Sequence, residues 1–129
     1  MAKLHLDPTS RTPAVTFTST DAVLVIAGES YPEDVTRFYT NLKSTLQAHF
    51  EEGHNSLRAE LKLTYFNSSS ARALMELLDM LDAQCETGSD ITVDWHVDPD
   101  DDITREFAED IASDVSKLTV NLLDLTDDA

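Results

Sequence analysis

The sequence is poor in the residues on which many small catalytic and metal sites depend. It contains one cysteine, Cys85, and three glycines among 129 residues. A single thiol cannot form an internal disulfide, and no histidine or second cysteine lies near it to suggest a metal site. Three scattered glycines form no glycine-rich phosphate loop and no nucleophile elbow. These absences argue against a nucleotide-binding loop, a hydrolase and a structural zinc site.

Basic residues are scarce as well, because nine Lys and Arg stand against 25 Asp and Glu, for a formal net charge of -16. This charge would repel the phosphates of nucleic acid and the headgroups of anionic lipid, so we exclude both as partners. All apolar runs are far shorter than a membrane span, and the N-terminus lacks the pattern of a signal peptide. We therefore predict a cytoplasmic protein without membrane insertion, whose acidity suits a basic partner or a saline environment.

Metal and catalytic signatures are also missing. The four histidines include no pair at metal-ligand spacing. The acidic run at 98–102 resembles the start of a calcium loop, but Ile103 stands where that loop requires glycine. We predict no metal, no cofactor and no catalytic residue, so the protein is not expected to be an enzyme.

Hydropathy periodicity predicts one α/β domain with the order strand, strand, helix, strand, helix, strand, helix, strand. We expect a two-layer domain in which a mixed sheet of about five strands carries its helices mainly on one face. The predicted boundaries are a flexible lead-in at 1–13 with a short extended piece at Leu4 to Leu6, the domain at 14–123, and an acidic tail at 124–129.

Two local patterns predict how helices begin and pack. Ser30 followed by Glu33, with Pro32 in the first turn, predicts a helix that starts with Ser30 as its N-cap. Apolar residues at helical spacing predict the buried side of the third helix, which comprises Ile103, Phe107, Ile111 and Val115.

The most informative stretch runs from Leu57 to Leu81. An alternating strand pattern leads to Asn67-Ser68-Ser69-Ser70, and a helical stripe follows at once, formed by Leu74, Leu77, Leu78 and Leu81. One serine could cap the helix, but a cap needs only one hydroxyl, and no Glu or Gln lies three places on to form a capping box. Alternatively a phosphate could sit at this helix N-terminus. Capping and modification both remain open on the local pattern.

Three segments resemble the SiaC-like family of bacterial regulatory phosphoproteins: GESYPED at 28–34, LTYFNSSSARALMELLDML at 63–81 and VDWHVD at 93–98. The resemblance spans roughly residues 12–122. It implies a STAS-like fold, the class of anti-sigma-factor antagonists. It also implies that the residue after the junction asparagine, Ser68, is the phosphoacceptor, although serine replaces the usual threonine and Ser69 is the alternative. The residues expected to bind the partner or kinase are Asn67, Ser69, Ser70, Arg72, Gly28, Ser30, Tyr31 and Pro32.

The resemblance also implies a function. The unmodified form would bind and activate a SiaD-type diguanylate cyclase, which connects the protein to c-di-GMP and biofilm signalling, and phosphorylation would release the cyclase. A SiaB-type kinase would add the phosphate and a PP2C-like phosphatase of the SiaA type would remove it. Arg72, one helical turn beyond Ser68, could steady the phosphate. The alternatives are an anti-sigma-factor-antagonist type of partner switch and a small-ligand-binding domain that uses the open face of the sheet.

Overall fold

The computed structural model describes residues 2–125, which form six strands and three helices in one mixed sheet-and-helix domain. In chain order the elements are β1 Lys3–Leu6, β2 Ala14–Thr18, β3 Val23–Ser30, α1 Val35–Glu51, β4 Ser56–Phe66, α2 Ser68–Glu86, β5 Asp90–Val97, α3 Asp102–Asp114 and β6 Thr119–Asp124. The predicted α/β class is confirmed, and so is the predicted order of the elements from β2 onward.

The strands lie in the sheet in the order in which they occur in the chain, β1 to β6. The first three pair antiparallel, whereas β3, β4, β5 and β6 pair parallel. Each parallel connection contains a helix, and right-handed crossovers along a sheet that grows in one direction place all three helices on one face. The carboxyl ends of β3, β4 and β5 and the N-termini of the three helices therefore lie at the same end of the sheet.

The number of strands corrects the expected five. The short extended piece predicted at Leu4 to Leu6 is β1, which pairs with β2 from Lys3 opposite Thr18 to Leu6 opposite Val15. Its four residues belong to the segment that we assigned to the lead-in. At the other end, Asp124 closes β6, and residues 126–129 of the predicted acidic tail lie outside the described part of the chain.

The core fills the space between the sheet and the helices. Alternate residues of β4 are buried against the helices, and the intervening ones face the open side. The predicted stripe of α2 is confirmed, because Leu74, Leu77, Leu78 and Leu81 are at most 1% exposed. Tyr39 and Trp95 are buried in the same core. Burial of this apolar area supplies most of the stabilising free energy of such a domain.

The predicted start of α1 is wrong. Ser30 pairs with Phe66 at the end of β3, so the strand continues through the residue that we expected to cap a helix. The N-cap is Asp34, whose carboxylate accepts a hydrogen bond from the Arg37 amide at 3.1 Å. Pro32 lies in the loop before the helix rather than in its first turn. Pairing with a neighbouring strand therefore prevailed over a local capping signal.

The predicted buried side of α3 is wrong at its first member. Ile103 is 82% exposed, whereas Ala108 and Ile111 are buried and Phe107 is half-buried. Ile103 lies in the first turn, where no other element covers it. None of the helices within residues 2–125 is long and apolar enough to span a membrane.

Candidate functional site

The junction between β4 and α2 is organised by Asn67. The strand ends at Phe66 and the helix begins at Ser68, with Asn67 between them in an extended conformation. Its side-chain Oδ1 accepts a hydrogen bond from the Ser70 amide at 2.9 Å. The N-cap is thus the asparagine, which removes the alternative that one of the serines caps the helix. Because Asn67 serves as the N-cap, the serine hydroxyls are not needed for that purpose.

The three serines that follow differ sharply in exposure. Ser68 and Ser69 are exposed, whereas Ser70 is fully buried. The Ser30 hydroxyl donates a hydrogen bond to Ser70 Oγ at 3.0 Å, and Ser30 Oγ lies 2.7 Å from the Tyr39 hydroxyl. A kinase cannot reach Ser70 in this conformation, so the accessible acceptors at the junction are Ser68 and Ser69.

The buried hydroxyls of Ser30, Tyr39 and Ser70 connect three elements. They join the end of β3, the second turn of α1 and the first turn of α2. Burial raises the pKa of the Tyr39 hydroxyl, although its hydrogen bonds with Ser30 and Ser70 act in the opposite direction. Tyr39 therefore remains a protonated donor, and the network holds the start of α2 against the sheet.

The loop after β3 lies beside this junction. The Asn67 amide donates to the Ser30 carbonyl at 3.2 Å. The Tyr31 ring packs edge-on against the ring of Tyr65, with centroids 5.7 Å apart, and the Arg11 guanidinium lies 5.5 Å from the Tyr31 centroid. Tyr65 is 53% exposed, so this aromatic pair forms part of the accessible surface near α2.

Gly28 and Pro32, both predicted to belong to the site, lie less directly at it. Gly28 adopts φ of +118°, and the register of β3 against β4 shifts between Gly28 and Glu29. A positive φ favours glycine, so this residue permits the irregularity that precedes Ser30. Pro32 lines a different groove, beside Leu6 and Phe38. Ser30 and Tyr31 therefore lie beside the junction, whereas Pro32 lies in another groove.

Two grooves flank the first turns of α2, and the two exposed serines line different ones. The α1–α2 groove has a volume of about 190 Å³ and includes Tyr39, Lys43, Ser69, Arg72 and Glu76. In it, Glu76 lies 3.7 Å from Lys43 Nζ and 4.0 Å from Arg72 Nε. Two cations therefore share one carboxylate close to the junction. Lys43 and Glu76 were not predicted as site residues, because their proximity depends on how the two helices pack.

Ser68 lines the second, more apolar α2–α3 groove. This groove has a volume of about 220 Å³ and is formed by Phe66, Asn67, Ser68, Ala71, Ile103, Thr104 and Phe107. The rings of Phe66 and Phe107 lie 5.6 Å apart, and both pack on the buried Trp95. Ile103 and Phe107 were not predicted as site residues, because their helical spacing placed both on the buried side of the third helix. Both residues lie in the first turns of the helix that follows the acidic run at 98–102. That position in the sequence could have placed them at the end of the sheet where α2 also begins.

The groups with displaced pKa values do not converge on one pocket in the described chain. Burial acts to raise the pKa of Asp82, but hydrogen bonds from the Lys117, Ser116 and Leu118 amides outweigh it and lower the pKa. Hydrogen bonds from Thr104 lower the pKa of Asp101, which is the N-cap of α3. Within residues 2–125, no group of three or more His, Cys, Asp or Glu side chains could hold a metal ion.

Two exposed serine hydroxyls at a helix N-terminus, held in place by a buried hydroxyl network and flanked by two grooves, suit a regulatory phosphoprotein. The family model of SiaC family regulatory phosphoproteins matches residues 6–125. The chain belongs to the SiaC family. The predicted resemblance is therefore confirmed.

Individual relatives agree with this result. The chain is 30% identical over 116 residues to an uncharacterized protein of Pseudomonas aeruginosa (strain UCBPP-PA14), a match that covers 90% of this chain and 92% of the relative. It is similar to the crystal structure of apo-SiaC from Pseudomonas aeruginosa, with a TM-score of 0.86, 28% identity, and coverage of 95% of this chain and 99% of that one. A third match is SiaC in the crystal structure of the diguanylate cyclase SiaD with its activator SiaC, from the same species. Its TM-score is 0.83 and its identity 28%, and it covers 92% of this chain and 98% of that one.

Proposed function

We propose that this protein is a non-catalytic switch that, in its unmodified form, binds and activates a diguanylate cyclase and releases it when Ser68 is phosphorylated. A SiaB-type kinase would add the phosphate, and a SiaA-type PP2C-like phosphatase would remove it. A cytoplasmic location, where all these partners can reach the protein, belongs to the same proposal. The observation that carries it is the exposed Ser68 hydroxyl in the first turn of α2, in a chain of the SiaC family.

The N-terminus of α2 can accept a phosphate without losing its fold. A negative charge near a helix N-terminus is favourable by about 0.3 to 1 kcal/mol at an exposed position. Asn67 already caps the Ser70 amide, so a phosphate on Ser68 would not have to replace that hydrogen bond. Phosphorylation is therefore expected to change the surface of the domain and to leave its core intact.

Arg72 supports the modified state. It follows Ser68 by four residues and is mostly exposed, and Glu76 is its neighbour at 4.0 Å. A phosphate carries about 1.5 to 2 negative charges at pH 7 and offers three acceptor oxygens, so it can compete with a single carboxylate for the guanidinium. We expect Arg72 to pair with phosphorylated Ser68, while Lys43 remains to neutralise Glu76.

Release of the partner follows from the cost of covering this phosphate. In the unmodified protein Ser68 presents a neutral hydroxyl, which a partner surface can cover at little cost. Arg72 can offset only about one of the roughly 1.5 to 2 negative charges of the phosphate. Burying the charge that stays unpaired costs several kcal/mol, whereas about 1.4 kcal/mol already changes an affinity tenfold. Phosphorylation of Ser68 should therefore weaken cyclase binding much more than it changes the stability of the domain.

The decisive experiment combines site mapping with a binding and activity assay. The protein is incubated with the cognate kinase and ATP, and the phosphate is located by peptide mass spectrometry in wild type, Ser68→Ala and the matched control Ser69→Ala. We expect the phosphate on Ser68, loss of labelling only in Ser68→Ala, and cyclase activation by both unmodified variants. A phosphate on Ser69, or Ser68→Asp that binds and activates the cyclase as wild type does, would contradict the proposal.

The same samples separate the alternative partner class. If the unmodified protein binds an anti-sigma factor and leaves cyclase activity unchanged, the protein is a switch of the anti-sigma-factor-antagonist type. If the purified protein alone turns over a substrate and one substitution abolishes that activity, it is an enzyme and the proposal fails.

A further inference from the structure

We infer that the α2–α3 groove is the docking site for the cyclase, and that it receives an apolar side chain from a segment bearing Lys or Arg on the side that faces α3. This inference rests on the proposed function, because it takes the cyclase as the partner. It adds the surface, the anchoring residue and the chemistry of the segment that binds.

The exposure of Ile103 is the first observation. At 82% it is the most exposed of the large hydrophobic residues within 2–125, compared with 53% for Tyr65 and about 40% for Met75 and Leu123. A β-branched side chain that projects from the first turn of α3 beside a groove adds no packing to the core. Residues of this kind supply binding energy when a partner covers them.

The walls and floor of the groove form the second observation. Phe66 and Phe107 contribute the apolar surface, and Trp95, which is fully buried, packs edge-on beneath Phe107 at 6.1 Å. The floor is thus part of the core and does not need to rearrange to accept a ligand. Such preformed apolar clefts favour rigid apolar anchors over extended polar ligands.

The distribution of charge specifies the rest of the partner segment. On the α3 side of the groove, Asp100, Asp102 and Glu106 are all exposed, while Arg105 is paired with Asp124 at 3.1 Å. The α2 side is neutral, formed by Asn67, Ser68 and Ala71. A complementary segment therefore carries its basic residues on the α3 side of its apolar anchor.

This asymmetry explains how Ser68 can control the interaction. Ser68 lies in the neutral wall, so a phosphate there would face the apolar anchor rather than the basic residues. Covering the dianion against an apolar side chain would remove its water, and Arg72 alone would pair with only part of its charge. The groove thus connects the modification site directly to the surface that must be covered.

The anchor is tested by comparing two exposed apolar residues on different surfaces. Affinity for the purified diguanylate cyclase of the same organism is measured for wild type, Ile103→Ser and the control Leu123→Ser, which changes a residue on β6. We expect Ile103→Ser to weaken binding about 10- to 100-fold and Leu123→Ser to weaken it by less than about threefold. Unchanged emission of Trp95, the only tryptophan, and an unchanged thermal midpoint would show that the variant is folded.

The charge is tested with two pairs of neutralised acids. Asp102→Asn with Glu106→Gln removes two charges beside the groove, whereas Asp79→Asn with Glu86→Gln removes two exposed charges from α2. The first pair should lower the association rate constant with the cyclase and make that rate constant less dependent on salt concentration. The second pair should have a much smaller effect on both.

The outcomes separate this inference from the proposed function. If Ile103→Ser binds the cyclase as tightly as Leu123→Ser does, while Ser68→Asp still fails to bind, the groove is not the docking site and the switch at Ser68 stands. If wild type does not bind the cyclase at all, both fall. If Ile103→Ser instead abolishes self-association in analytical ultracentrifugation, the groove receives a second copy of this chain and the inference is overturned.

Discussion

The buried hydrogen bond between Ser30 and Ser70 divides the serine triplet into residues with different expected effects on stability. We predict that Ser70→Ala destabilises the domain, whereas Ser68→Ala and Ser69→Ala do not. Ser70 Oγ accepts the Ser30 hydroxyl at 3.0 Å, and both side chains are fully buried. The exposed hydroxyls of Ser68 and Ser69 can exchange protein contacts for water, so their removal leaves nothing unsatisfied.

The magnitude follows from the group that loses its partner. In Ser70→Ala the buried Ser30 hydroxyl keeps its contact with Tyr39 but loses the acceptor for its own proton, at a cost of about 1 to 3 kcal/mol. Alanine in place of serine returns up to about 0.5 kcal/mol through its higher helix propensity. The expected net loss is therefore about 0.5 to 2.5 kcal/mol. Exposed serine-to-alanine changes should stay within about 0.5 kcal/mol of wild type.

Urea unfolding followed by far-ultraviolet circular dichroism measures all three variants under the same conditions. Equal slopes against urea concentration are required so that the midpoints report stability alone. The double variant Ser30→Ala/Ser70→Ala should lose less than the sum of the single variants, because both substitutions act on one network. A loss of less than about 0.5 kcal/mol for Ser70→Ala, the level of an ordinary surface change, would refute the reasoning.

Three further predictions concern the frame around the site. Leu77 is buried in the α2 stripe, so Leu77→Ala should lower the free energy of unfolding of the domain by about 2 to 5 kcal/mol. A loss near zero in a denaturant melt would mean that this stripe does not support the core. The pKa of Asp82 is lowered in the folded state, so its carboxylate stabilises the fold at pH values above the ordinary carboxyl pKa near 4. This contribution to the free energy of unfolding is lost as the pH falls through the folded-state pKa. The stability gap between wild type and Asp82→Asn should therefore narrow between pH 7 and pH 3, and a constant gap would contradict this assignment. Gly28→Ala should cost about 1 to 2 kcal/mol in thermal unfolding because alanine is strained at φ of +118°, and an unchanged midpoint would show that the strand relaxes.

The elements of the fold could be predicted because each depends on short-range periodicity. The alternation along β4 and the leucine stripe of α2 specify which face of each element is apolar, and both faces are buried in the structure. The junction at 67–70 was likewise recognisable as the end of a strand followed by a helix. The additional strand β1 was less evident because a four-residue edge strand carries little periodic signal.

Two predictions failed where a local pattern competed with a distant contact. Ser30 has the spacing of a helix cap, yet pairing with Phe66 keeps it in the sheet and Asp34 caps the helix instead. Ile103 lies at the spacing of a buried helix residue. Periodicity identifies the apolar face of a helix, but it does not show which turns of that face are covered by other elements. Both errors concern residues at the edge of the sheet where Ser68 lies.

The sequence alone was sufficient to identify the junction, the family and the two candidate serines, because these depend on residues that are neighbours in the chain. Only the tertiary structure showed that Ser70 is inaccessible, since its partner Ser30 lies forty positions earlier and meets it through the sheet and α1. Likewise, Ile103 lines a groove with Ser68 only because β5 adds beside β4 in register and α3 follows it. Side-chain periodicity encodes the faces of single elements, whereas the contacts between elements that make up this site depend on strand order and helix packing.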